Sequence, residues 1–126
     1  MGGMSGAHVV EARPADRTVR VEVDGEVVAE SSRPVLLTET NLPDRWYLPR
    51  EDVHADVLLS SETHTHCPYK GDASYHTLKT PAGVRADLVW YYPEPLDAVA
   101  EIRDHLSFYS EKDGVEVFVD GRPASG

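Results

Sequence analysis

Apolar and polar residues alternate at both ends of the chain. In "TVRVEVDGEVVAES", Val19, Val21 and Val23 are separated by Arg20 and Glu22, the two-residue period of a strand with one buried face. Asp24-Gly25 follows, and these residue types accept the positive φ angles of a tight hairpin turn. The pattern returns after Asp113-Gly114, where Val115, Val117 and Val119 alternate with Glu116 and Phe118. A second hairpin is expected to close the fold there. The likeness of "VEVDG" at Val21 to "VFVDG" at Val117 covers five residues of common strand-turn chemistry and is too short to define an internal repeat.

Between these ends, "PVLLTET" and "RWYLP" read as strands, the second ended by Pro49, which has no N–H to give a ladder. "DVLLSSETHTHC", "ASYHTLKT" and "RADLVWYY" read as three more. A helical period occurs in "EPLDAVAEIRDHLSFY", where Leu96, Val99, Ile102 and Leu106 recur every three or four residues and Pro95 suits a first turn. It predicts a helix over Leu96–His105. The expected fold is mostly β: a small, compact antiparallel domain of barrel-like or tent-like sheets, with one short helix near the C-terminal end.

With 126 residues, 40% of them hydrophobic, the chain suits one core and is too short for two. The ends are rich in Gly, Ser and Ala, so residues 1–13 and 124–126 are expected to be flexible, flanking one domain over 14–123. A formal charge of −10 would repel a phosphate backbone or an anionic lipid surface, which argues against nucleic-acid and membrane partners. The absence of a long apolar run or a basic-then-apolar leader points to a cytoplasmic address. The single cysteine agrees with a reducing compartment.

The densest chemistry lies in "ETHTHCPYKGDASYH", residues 62–76, which holds Cys67, Lys70, Tyr69, Tyr75 and three of the six histidines. Cys67 precedes proline and is thereby biased to extended backbone, and Gly71 can take the geometry a tight loop needs. The stretch therefore reads as strand, loop, strand. His64 and His66 share one strand face, with His76 across the hairpin as a third conceivable metal ligand, but no Cys-x-x-Cys or His-Glu-x-x-His pattern accompanies them. Exposed strand histidines are the plainer reading, and neither metal nor cofactor is implied. Cys67 and Lys70 form the candidate catalytic pair, an ammonium folded back on a thiol being able to favour the thiolate. The opposing reading makes Cys67 a small buried hydrophobe and Lys70 a solvated loop charge. Trp46, Tyr47, Tyr69, Tyr75, Trp90, Tyr91 and Tyr92 supply aromatic surface for a ligand pocket, or else the core and rim of a small β protein. Glu39, in "LLTETN", offers such a pocket a carboxylate.

Cys67-Pro68-Tyr69-Lys70-Gly71, followed by Ala73-x-Tyr75 and Trp90-x-Tyr92-Pro93 and preceded by Tyr47-x-Pro49, resembles the bacterial and fungal family of unknown function numbered 427. The likeness runs from about Val19 to Val119. It implies a compact, mostly β domain with tent-like sheets and no established activity. A nucleotidyltransferase label has been attached to the family, but this chain lacks a Gly-Ser pair followed by the Asp-x-Asp metal motif such enzymes use. Many tent-like domains hold zinc through Cys-x-x-Cys pairs, so kinship here implies a zinc-free version.

Taken together, these residues point to an aromatic-lined pocket beside the Cys67–Gly71 loop that takes a small polar or cationic metabolite. Glu39, Tyr47, Tyr69, Tyr75 and Trp90 are its expected binding residues. Whether a reaction follows is left open by the residues. The alternative is a protein-interaction or homo-oligomerisation module in which the same aromatics bury a partner.

Overall fold

The computed structural model describes residues 7–124, so the expected flexibility of residues 1–6 and 125–126 lies outside the described residues. Its strands are β1 (Val10–Pro14), β2 (Val19–Val23), β3 (Glu26–Ser31), β4 (Val35–Glu39), β5 (Leu42–Pro49), β6 (Leu58–Cys67), β7 (Gly71–Thr80), β8 (Gly83–Tyr91), β9 (His105–Phe108), β10 (Val115–Val119) and β11 (Arg122–Pro123). They form a seven-stranded sheet in the order β1-β4-β5-β9-β8-β7-β6 and a four-stranded sheet in the order β11-β10-β2-β3. Every strand pair is antiparallel. The fold is thus mostly β, as expected, but both sheets are open and no barrel closes. Among the described residues, no helix is long and apolar enough to cross a membrane.

Strand alternation gives the large sheet two buried faces. Leu48, Leu78, Val89 and Leu106 pack on one face against Val19, Val21, Val23, Val115 and Val117 of the small sheet. Their neighbours Tyr47, Trp90 and Tyr92 turn to the opposite face, where they meet Leu37, Val99 and Ile102 in a second cluster. The main core lies between the sheets, and the second lies on the large sheet's far side.

The segment expected to be the helix is a 3₁₀ turn over Asp97–Ile102, broken at Val99 (φ −129°, ψ 34°), followed by strand β9. Its apolar residues do not share one face. Val99 and Ile102 belong to the second cluster, Leu106 to the main core, and Leu96 is 46% exposed. Tertiary structure overrides the local period because β9 pairs with both β5 and β8 and so joins the two halves of the large sheet. The first strand also lies largely in the stretch expected to be a tail: residues 10–14 pair in full register with β4.

Asp24-Gly25 turns β2 into β3 with φ 51° and 87°, as its sequence requires. Asp113-Gly114 is not a hairpin turn; it carries the chain from the large sheet to the small one. A Cβ at Gly114 would collide with the Asp24 carboxylate. The second hairpin instead turns at Asp120-Gly121 (φ 52° and 81°) into β11. β2 and β10 pair symmetrically about Val21 and Val117, with Val19 opposite Val119 and Val23 opposite Val115. The two short sequence likenesses therefore form back-to-back hairpins.

Candidate functional site

The Cys67–Gly71 motif is the β6–β7 hairpin loop. The Lys70 amide donates to the Cys67 carbonyl at 3.2 Å, and Gly71 takes φ 112°. The Lys70 carbonyl in turn accepts from the Leu96 amide at 2.9 Å, fastening the loop to the 3₁₀ segment. A Cβ at Gly71 would sit 3.4 Å from the Glu94 carbonyl, so positive φ and close packing together favour glycine.

This loop places Lys70 over the second cluster. Its Nζ donates to Glu39 Oε1 at 2.5 Å, with the two side chains only 12% and 5% exposed. Glu39 Oε2 is bonded to His8 Nε2 at 2.8 Å, and the His8 ring stacks on Tyr69 at 4.0 Å. Burial pushes the Glu39 carboxyl up, but its bonds to Lys70 and His8 prevail and hold it below the ordinary value.

Beside the ion pair is a half-enclosed cavity of about 190 Å³. Four phenols line it: Tyr47, Tyr75, Tyr92 and Tyr109. Trp90 Nε1 donates to the Tyr47 oxygen at 2.8 Å, which fixes both rings edge to face. The Tyr75 hydroxyl bonds Thr65 Oγ1 at 2.9 Å and meets the Tyr109 hydroxyl at 3.4 Å. Tyr92 is 5% exposed; its hydroxyl makes no hydrogen bond with another described residue and, as no fully buried side-chain oxygen among them lacks a partner, it opens onto the cavity. Burial raises the Tyr47, Tyr92 and Tyr109 phenols well above their ordinary range, so all three stay protonated at neutral pH. Arg45 completes the wall, its guanidinium 5.1 Å from the Trp90 ring and bidentate to Glu111 at 2.9 and 2.7 Å.

The structure brings together Glu39, Tyr47, Lys70, Tyr75 and Trp90 of the expected site. Tyr69 and Cys67 stand apart from it. Tyr69 is 44% exposed and covers His8, and Cys67 packs half-buried against the second cluster. The Lys70 ammonium is bonded to Glu39 and makes no hydrogen bond with the thiol. Arg45, Tyr109 and His8 were not among the candidates. Arg45 was legible, since strand alternation puts it on the face of Tyr47; Tyr109 only ended the stretch read for its helical period, beyond the expected helix itself, and His8 left no signal.

The histidines diverge. His66 Nδ1 bonds Asp72 at 2.6 Å and His64 Nδ1 bonds Ser74 at 3.2 Å. His76 is half-buried rather than solvated: its Nδ1 bonds the Leu59 carbonyl at 2.9 Å, and Arg50 donates to its Nε2 at 3.0 Å. That is the pattern of a neutral imidazole, and burial, with Arg50 adding to it, lowers its pKa. Among the described residues no group of three or more His, Cys, Asp or Glu side chains is placed to hold a metal.

A larger groove of about 500 Å³ lies beside Trp46, but its only charged lining residues are Arg17 and Asp44, and Arg17 is bonded to Asp120. The tyrosine-lined cavity is where buried polar groups converge. Fold and site together define a two-sheet antiparallel β domain with a small polar cavity on the outer face of its larger sheet. Residues 11–121 match the family described as "Domain of unknown function (DUF427)", and the chain belongs to it. No curated protein matches the chain.

Proposed function

We propose that the domain binds a small polar metabolite in the cavity between Glu39, Tyr47, Lys70 and Tyr92. The observation that carries this reading is the convergence of four phenols and a buried ion pair on one half-enclosed space. Buried polar groups are costly unless something answers them, and ligand pockets concentrate such groups within apolar walls. At about 190 Å³ the space holds on the order of six waters at ~30 Å³ each, which limits the ligand to a compact molecule. The aromatic faces do not form a cage for a cation: Trp90 carries Arg45 and Tyr109 against its ring. A polar ligand is therefore favoured over a cationic one.

One observation favours the interaction module as second reading. The exposed apolar residues Val9, Leu42, Tyr69 and Leu96 all belong to segments around the ion pair: Val9 is bonded to Thr40, Leu42 begins β5, and Tyr69 and Leu96 flank or bond Lys70. Such a rim could seat a protein partner or a second copy of the chain.

A thermal-shift screen of compact metabolites on a Trp46→Phe variant separates the readings. Trp46 packs on the opposite face of the sheet, so the remaining Trp90 fluorescence reports the cavity alone. Hits that raise the melting temperature and change Trp90 emission support the cavity reading, since a ligand binding only the folded state stabilises it. A screen without hits, from a chain that sediments as a dimer, supports the module.

A further inference from the structure

The polar groups of the cavity are unevenly answered. All three charged lining residues are paired: Lys70 with Glu39, and Arg45 in a two-bond fork with Glu111. The phenols differ. Tyr47 uses its oxygen as acceptor for the Trp90 indole, so its own proton points elsewhere, and no acceptor for it lies among the described residues. The Tyr92 hydroxyl makes no hydrogen bond with another described residue, and since no fully buried side-chain oxygen among them lacks a partner, it opens onto the cavity it lines. Two donors thus face a space where no charge is free.

Resting on the small-molecule reading above, we propose that the ligand is an uncharged carbonyl compound, such as a carboxamide or ketone, whose oxygen accepts hydrogen bonds from the Tyr47 and Tyr92 hydroxyls. Two arguments exclude the charged alternatives. A carboxylate or ammonium entering this site would be desolvated with no free counter-charge to meet it, because the existing pairs would have to break first, and uncompensated buried charge is among the most unfavourable arrangements in a protein. A cation would in addition offer donors to hydroxyls that need acceptors. A carbonyl oxygen has two lone pairs and can accept from both phenols at once. Burial keeps both phenols protonated, and therefore donating, throughout the neutral range.

The test uses three probes of one shape: butyramide, butyrate and butylamine, titrated to tens of millimolar into the full chain. The readout is the indole N–H resonance of Trp90, which reports the Trp90–Tyr47 bond directly. Saturable shifts with butyramide, at least tenfold weaker with the two ions, are expected. Tyr92→Phe removes one donor while preserving ring volume and should weaken butyramide by about three- to tenfold, the value of one net hydrogen bond. A melting curve confirms that the variant remains folded, and Tyr92→Phe leaves the Trp90–Tyr47 bond that the resonance reports in place. Equal or tighter binding of butyrate or butylamine overturns the carbonyl assignment while leaving the cavity reading intact. Unchanged butyramide affinity in folded Tyr92→Phe likewise overturns it. No saturable shift from any of the three probes overturns the assignment and the small-molecule reading together.

Discussion

Lys70 and Glu39 are 31 residues apart in sequence and form an ion pair of 2.5 Å with both side chains almost wholly buried. The pair ties the β6–β7 loop to the end of β4, two elements at opposite sides of the large sheet's order. Removing one member leaves the other charge buried, which costs about 3–5 kcal/mol when nothing else answers it. His8 still bonds Glu39, so Lys70→Met should cost less than Glu39→Gln, which strands the ammonium. The double variant should recover stability relative to Glu39→Gln. Urea unfolding of the three variants checks this cycle, and strict additivity would show that the pair is not coupled.

Because the Lys70 ammonium is held by Glu39, it should have no influence on Cys67. Iodoacetamide labelling of the native protein, followed by mass spectrometry, should be slow and should keep the same pH profile in Lys70→Met under conditions where that variant is folded. A profile displaced by the substitution would restore the catalytic pairing of Cys67 with Lys70.

Tyr47 gives Trp90 its hydrogen-bond partner in a buried setting. Tyr47→Phe leaves the indole N–H without an acceptor and should destabilise the fold by about 1–3 kcal/mol. Tyr109→Phe, whose hydroxyl makes only a long 3.4 Å contact with Tyr75, should cost less. Chemical denaturation followed by far-ultraviolet circular dichroism compares them without depending on the tryptophan signal.

Much of the sheet could be read from alternation alone, because a period of two puts Val19, Val21 and Val23 on one face and sends Tyr47 and Leu48 to opposite ones. The site was partly legible for the same reason: Trp90 and Tyr92 share a face, as do Arg45 and Tyr47. The pairing of Lys70 with Glu39 and the arrival of His8 depend on long-range topology, which no local pattern encodes. The expected helix misled because Leu96, Val99, Ile102 and Leu106 imitate a helical stripe while serving two cores and one exposed position. Their order is set by where β9 must fit, not by a common face.

That difference can be tested directly. A helix would bury Leu96 and Leu106 alike, whereas here Leu106 is fully buried and Leu96 is 46% exposed. Leu106→Ala should cost about 2–5 kcal/mol through lost burial and a cavity in the main core. Leu96→Ala should stay within about 0.5 kcal/mol, as for an ordinary surface change. Equal costs would return both residues to one helical face.

Acid should destabilise the domain, through groups whose folded pKa lies below its unfolded value. The Arg45 guanidinium holds the Glu111 carboxyl down at about 2, against an ordinary 4.5, and Glu39 is also lowered. In that window the unfolded chain binds more protons than the native one, so stability rises with pH. The carboxylate contribution is complete above about 4.5 and is lost as pH falls toward about 2. His76, lowered by burial from 6.5, acts in the same direction from neutral pH downward, since it must charge as the chain unfolds. Glu111 is 56% exposed, so solvent screening limits its share to about 1 kcal/mol despite the size of the shift. Urea unfolding across the acid range should show stability falling with pH, and Glu111→Gln should flatten only the lowest part of that slope. A variant as acid-sensitive as the native chain over that range would mean that the Arg45–Glu111 fork contributes nothing measurable.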